Sequence, residues 1–166
     1  MRRGLRDRQT EDVRRLNGAV VDFSSLDLFA GHLTRVVQVR LFQFYYERLA
    51  RLRVSPGGFA VLIAIHSNPG IQHGALAHAI AAHGPNLTKL VDRLVRAGWV
   101  ERRAIAGDRR TTGHFLSTGG QKKAEAAFRA GLAHDETATA SLSAGERKTL
   151  LRLLAKLDRG LATRPR

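Results

Sequence analysis

The sequence predicts a mainly α-helical fold with one small β-hairpin, and three stretches carry that expectation. PNLTKLVDRLVRAGW, from Pro85 to Trp99, sets Leu87, Leu90, Val91, Leu94 and Val95 on one helical face. VERRAIAGDRRTTGHFL, from Val100 to Leu116, has two short strand-like runs around a basic, turn-rich tip. SPGGFAVLIAIHS, opening at Ser55, is apolar almost all round and reads as a central helix. A helix followed at once by a basic hairpin is what a winged helix-turn-helix lays on duplex DNA.

Composition narrows the function classes. The chain has 166 residues, enough for one domain with a core plus dimerisation arms. Hydrophobic residues make up 43% of it, which argues against a disordered polypeptide. Lys and Arg number 28 against 14 Asp and Glu, a formal charge of +14. That balance attracts a polyanion, nucleic acid being the commonest and an anionic membrane surface the rival. The longest apolar run, Phe59 to Ile65, is far too short to span a bilayer. The arginine-rich start lacks an apolar signal core and is interrupted by Asp7, Glu11 and Asp12, so a cytoplasmic protein is expected. There is no cysteine, which excludes disulfides, thiolate nucleophiles and Cys-ligated zinc on this chain.

The elements follow in order. Residues 1–23 carry Arg2, Arg3, Arg6, Arg8, Arg14 and Arg15 and read as a basic tail. Val13, Leu16 and Val20 would allow a short helix there. Residues 24–53 form an expected dimerisation helix, capped by Ser24 or Ser25. Two stripes mark it, Leu26, Phe29, Leu33, Val36, Val37, Arg40 and Phe44 on one and Leu41, Phe42, Tyr45, Leu49 and Leu52 on the other. A helix apolar on two sides needs a second partner, and another subunit is the candidate.

Residues 54–117 are the expected DNA-binding lobe. Ser55-Pro56 starts its central helix and Asn68-Pro69-Gly70 stops it. Ile71 to about Ala82 reads as a short helix with Leu76 and Ile80 inward. The Pro85 helix ends at Gly98, Trp99 is expected to begin a strand, and Thr111 to Leu116 to return it around Ala106-Gly107-Asp108. Residues 118–166 are the expected C-terminal dimerisation helices. The first runs from about Gly119 to His134 behind Ser117 or Thr118, and Asp135 to Ser141 reads as a connection. Ser143 and Glu146 fit a capping box, and Leu150, Leu151, Leu154, Leu157 and Leu161 form a stripe behind it.

In this order the elements resemble the multiple-antibiotic-resistance-regulator (MarR) family of bacterial winged-helix transcription factors. The resemblance runs from about Leu26 to Leu161. It is carried by SPGGFAVLIAIHSNPGIQHGALAHAI, LTKLVDRLVRAGWVERR, GDRRTTGHFLSTGGQKK and LSAGERKTLLRLLAKL. Asp108-Arg109-Arg110, following the strand that holds Glu101-Arg102-Arg103, is the most specific motif. The resemblance implies an intertwined homodimer with the second helix of each helix-turn-helix in the major groove and each wing tip in the minor groove. It further implies a repressor released by a small effector, an aromatic acid or an aromatic acyl-coenzyme A thioester. The chain departs from the family at His83-Gly84-Pro85, where members commonly place a polar cap and a basic residue.

The candidate DNA-contacting residues are Asn86, Thr88, Lys89, Arg93, Arg102, Arg103, Asp108, Arg109 and Arg110. Asn86 suits a bidentate contact with adenine, and Lys89 or Arg93 suits guanine or phosphate. Thr88 suits phosphate or a thymine methyl. Arg110, with Arg109 as the alternative, is the candidate for a narrow minor groove. Asp108 is expected to restrain an arginine or close the turn. Arg102 and Arg103 alternate across a strand, so one faces phosphate. Twofold symmetry would make the operator palindromic, with half-sites about 34 Å apart.

His32, Arg40, Tyr45, Tyr46 and His66 are the candidate effector-pocket residues, with aromatic walls and a cation for a carboxylate. His73, His78 and His83 recur every five residues, which does not align them on one helical face, so surface or packing roles are expected and no metal. No nucleophile–base–acid arrangement is recognisable, so neither catalysis nor a cofactor is expected. The alternative function is a non-specific architectural DNA-binding protein without an effector.

Overall fold

The computed structural model describes residues 13–16, 19–22, 25–82, 84–105 and 108–163. The chain divides into two compact units, Met1–Phe44 and Tyr45–Arg166. In the first, β1 (Val13–Leu16) pairs antiparallel with β2 (Ala19–Asp22), from Val13↔Asp22 to Leu16↔Ala19. This replaces the short helix expected on Val13, Leu16 and Val20. Valine-rich segments favour strands, and the intervening sequence is Asn17-Gly18, the strongest two-residue hairpin signal. Residues 1–12 and the cap considered at Ser24 lie outside the described residues.

Helix α1 (Ala30–Leu49) starts later than the expected cap at Ser25 and closes in a 3-10 turn, Ala50–Leu52. Residues 25–28 form a turn instead, with the Phe29 amide donating to the Leu26 carbonyl at 3.0 Å. The helix therefore spans the division between the units. Leu33, Val37, Val39 and Phe42 are all exposed on it, whereas Tyr45 is buried.

The second unit holds the core. Helix α2 (Pro56–Ser67) starts as its sequence dictates: the Ser55 hydroxyl accepts from the Gly58 amide at 3.1 Å and proline occupies the first turn. Val61, Leu62 and Ile65 of α2 are fully buried. The expected helix from Ile71 divides. Ile71–Gln72 form β3, paired with a later strand, and α3 (His73–Ala79) follows. It stops before Ala82 because Ala81 takes a left-handed φ of 49°, which costs an alanine about 1 kcal/mol.

Helix α4 (Gly84–Arg96) buries Leu87, Val91 and Leu94 in the cluster that contains Leu62, Ile65 and Leu76. Gly98, at φ 71°, ends it. β4 (Val100–Ile105) begins one residue after Trp99, so Val100, 2% exposed, is the strand's core anchor. Trp99 packs against the core from the turn and accepts the Ser117 amide on its carbonyl. β5 (Asp108–Leu116) is longer than expected and lies between β3 and β4 in an antiparallel sheet.

Helix α5 (Thr118–Ala138) is capped by Ser117, whose hydroxyl accepts from the Gly120 amide at 2.9 Å and donates to the Gly98 carbonyl at 2.6 Å. It continues through residues expected to be a connection. The Asp135 carboxylate, held by Arg147, ties its end to α6 (Ala144–Ala162). The capping box at the start of α6 is present: Ser143 N donates to Glu146 Oε2 at 2.8 Å, and the Glu146 amide donates back to the Ser143 hydroxyl. The Ser143 hydroxyl, which donates to Glu146 Oε2 at 2.7 Å, and then the Ser143 amide hold the Glu146 carboxyl below its usual range.

Two glycines permit backbone contacts that no side chain would. A Cβ on Gly113 of β5 would meet the Gly70 carbonyl oxygen at 2.5 Å, where β3 joins the sheet. A Cβ on Gly120 would meet the Trp99 carbonyl oxygen at 1.9 Å, where α5 crosses the base of the hairpin. Gly119 has no neighbour closer than the Ser117 hydroxyl at 3.8 Å. Gly120→Ala is therefore expected to lower unfolding stability by about 1–3 kcal/mol or more, and Gly119→Ala to leave it within about 1 kcal/mol. Urea denaturation of both variants checks this.

Candidate nucleic-acid interface

The interface is built from α4, the residue that starts α3, and the β4–β5 hairpin. Helical periodicity does the sorting on α4. With Leu87, Val91 and Leu94 turned into the core, Asn86, Thr88, Lys89, Arg93 and Arg96 are left exposed on the opposite side. Arg93 lies along the helix, its Nε donating to the Lys89 carbonyl at 3.3 Å. Pro85 is exposed in the first turn of α4, and His83 lies outside the described residues.

The two strand arginines are both engaged within the chain. Arg102 Nη2 lies 2.5 Å from Asp92 Oδ1 on α4, so the acid on the reading helix holds a wing cation. Arg103 stacks over the Phe115 ring at 4.2 Å and its Nε lies 3.5 Å from Glu101 Oε2. Arg102 thus finds its partner on α4, and Arg103 finds its partners on β5 and its own strand. Asp92 and Arg102 are each about 40% exposed, so their pair contributes about 0–1 kcal/mol and is open to competition by phosphate. Asp108, Arg109 and Arg110 belong to the backbone of β5. Their side-chain roles, like the tip residues Ala106 and Gly107, fall outside the described residues.

Sequence reasoning left out the polar contact that joins these elements. His114 of β5 is 3% exposed, and its Nε2 lies 3.3 Å from Nδ1 of His73 at the start of α3. His73 Nε2 lies 3.3 Å from the Thr88 hydroxyl on α4. Burial first, then His73, then Arg102, push the His114 pKa down from its ordinary value. The strand alternation of TTGHFL, with a histidine facing inward, was the available signal. His73 and His78 do not share a ligand set, and among the described residues no group of three metal-binding side chains occurs.

The effector candidates are distributed across both units. His32 faces Asp27 at 3.8 Å and Arg40 is exposed, both in the first unit. In the second, Tyr45 is buried and its hydroxyl donates to the Val54 carbonyl at 3.3 Å. Burial, with Tyr46 adding, pushes its pKa up to about 12. The structure surrounds Tyr45 with Tyr46, Phe59 and His134 in edge-on ring contacts near 6 Å. Phe59 and His134 were not singled out from the sequence. Tyr46 and His66 are exposed.

A buried-seam helix, a short antiparallel sheet and a basic hairpin define a winged helix-turn-helix protein. The MarR family model matches residues 54–112. The multiple antibiotic resistance protein MarR of Escherichia coli strain K12 is 31% identical over 140 residues, covering 81% of this chain and 97% of that protein. A Thauera aromatica protein named for regulation of the hcr operon is 32% identical over 106 residues, 64% of each chain. The crystal structure of a mutant Escherichia coli MarR complexed with operator DNA superposes with a TM-score of 0.71 at 30% identity, covering 81% of this chain and 96% of that one. The chain belongs to the MarR family of DNA-binding transcriptional regulators, which are not enzymes. No described helix is long and apolar enough to cross a membrane.

The depressed His114 pKa has a consequence for stability. The folded chain disfavours the added proton, so this contribution is complete above the unfolded pKa of about 6.5 and is lost as the pH falls toward the folded value. His114→Phe is expected to flatten that loss. Urea midpoints of wild type and variant, measured across the acidic limb, decide it.

Proposed function

We propose that this regulator is a sequence-specific repressor that binds a palindromic operator as a homodimer and leaves it when a small effector binds. The observation that carries the DNA-reading role is the exposed polar face of α4 beside the arginines of β4. Asn86, Thr88, Lys89 and Arg93 enter the major groove. One of Arg102 and Arg103 faces the flanking phosphates, Arg110 or Arg109 enters the minor groove, and Asp108 restrains an arginine or closes the turn. The operator DNA held by the similar Escherichia coli MarR supports this reading.

The dimer is supported by α6. Its leucines Leu150, Leu151, Leu153, Leu154, Leu157 and Leu161 are 39–57% exposed, and none of its residues is buried. Monomers rarely leave so continuous an apolar stripe in water, and a second copy offers the same stripe to cover it. Two reading helices would then meet successive major grooves, about 34 Å apart.

The effector is an aromatic acid or its coenzyme A thioester. The aromatic group of Tyr45, Tyr46, Phe59 and His134 favours a planar apolar ligand, and His66 of the same unit is the candidate for its anionic end. Release requires the ligand to bind the DNA-free arrangement better than the bound one.

Selection from a random duplex library is expected to enrich a palindrome. Lys89→Ala combined with Arg93→Ala should weaken that duplex roughly tenfold or more and flatten its salt dependence. Aromatic acids or their thioesters, titrated into the complex, should release it. Equal affinity for all duplexes would instead point to the architectural alternative. Leu154→Glu with Leu157→Glu is expected to convert the dimer to monomer in sedimentation equilibrium, and an unchanged dimer would remove α6 from the interface.

A further inference from the structure

The contact between His114 and His73 links three elements of the interface, yet neither ring belongs to the exposed reading face. It runs from β5 through the first residue of α3 to Thr88 on α4, over successive distances of 3.3 Å. Two facing ring nitrogens share one proton between them. His114 Nδ1 is buried and without a hydrogen-bond partner. Orphaned buried N–H groups are rarer than bare acceptors, so the His114 proton belongs on Nε2 and is donated to His73 Nδ1. His73 then carries its own proton on Nε2 and donates it to the Thr88 hydroxyl.

A further proton on either ring sets N–H against N–H, or leaves one N–H buried without an acceptor. A proton added at His73 Nδ1 breaks the contact, and one added at His114 Nδ1 is buried without an acceptor. The elements packed against β5 are β3, β4, α2, α3 and α5. The titratable groups acting on His114 from them are His73 of α3 and Arg102 of β4, and both oppose a positive charge there. Asp92 of α4 offsets part of the Arg102 charge through their ion pair.

We propose that His114 and His73 are positioning residues of the DNA interface, whose neutral side-chain contact holds the wing strand in register with Thr88 on the reading helix. The inference rests on the DNA-reading role proposed above. Its consequence has the opposite sign to simple electrostatics. Protonated histidines strengthen attraction to phosphate. Breaking the His73–His114 contact leaves the Arg102–Asp92 pair as a remaining polar side-chain link described between wing and reading helix, so specific binding weakens although the charge rises.

The test is fluorescence anisotropy at fixed ionic strength between about pH 8 and about pH 5.5, bracketing the ordinary histidine range. The probes are the duplex that the wild-type chain enriches from the library and an unselected random-sequence duplex. Wild-type affinity for the enriched duplex is expected to fall roughly fivefold to tenfold on acidification, while the random duplex binds equally or more tightly. His73→Phe, and His73→Phe combined with His114→Phe, should show the reduced affinity already at the upper pH, with a flat profile for the enriched duplex. Replacing both rings by apolar ones of similar shape keeps the core filled. Circular dichroism melts establish folding at each pH, and the more exposed His73 site alone decides the matter if the double variant does not fold. Specific affinity that rises on acidification, or variants that keep the wild-type profile, would overturn the positioning role. Failure to enrich any duplex would instead overturn the DNA-reading role itself.

Discussion

The buried seam of α4 is the contact on which the interface depends. Leu87 and Val91 are fully buried and Leu94 nearly so, and each contributes about 1.5–3 kcal/mol against leaving it in water. That seam does more than stabilise the helix. Because successive side chains turn by a fixed angle, burying these three residues determines that Asn86, Lys89 and Arg93 face outward. A rotation of the helix that exposed Lys89 less would have to pull Leu87 or Val91 out of the core. The reading face is thus held by apolar packing on its reverse side, through α2 and α3.

The hairpin is fastened to the same core by backbone contacts. Ser117 bridges the end of α4 and the start of α5, accepting from one and donating to the other. Gly120 lets α5 lie against the Trp99 carbonyl, and Gly113 lets β5 lie against Gly70. Charge acts on top of this frame. Arg102 is shared between the wing and Asp92 of α4, and Arg103 rests on Phe115. These exposed pairs contribute little and hold the arginines in place without burying them.

Two surfaces of different chemistry are left uncovered by a single chain. One is polar and basic, on α4 and β4. The other is the leucine stripe of α6, where no residue is buried. A formal charge of +14 suits the first, and hydrophobic burial suits the second. Helix α4 turns an apolar face to the core and a polar, basic face outward, whereas α6 leaves its leucines exposed.

Much of this was legible in the residues alone. The Ser55-Pro56 start of α2, the capping box of α6, the apolar face of α4 and the basic hairpin are local patterns, in which the residues that decide the structure are close neighbours in sequence. The first two residues of the helix expected at Ile71 became a strand because β5 pairs with them, and the late start of α1 and the long α5 likewise departed from local signals. The Asn17-Gly18 hairpin signal prevailed over the helical spacing of Val13, Leu16 and Val20, since β1 pairs with β2. Tertiary structure alone decided that Tyr45 is enclosed by Phe59 and His134, that Arg102 pairs with Asp92, and that His73 meets His114 across 41 residues. Periodicity and caps record what each segment does with its own neighbours. Those contacts arise only when folding brings distant segments within hydrogen-bonding or packing distance.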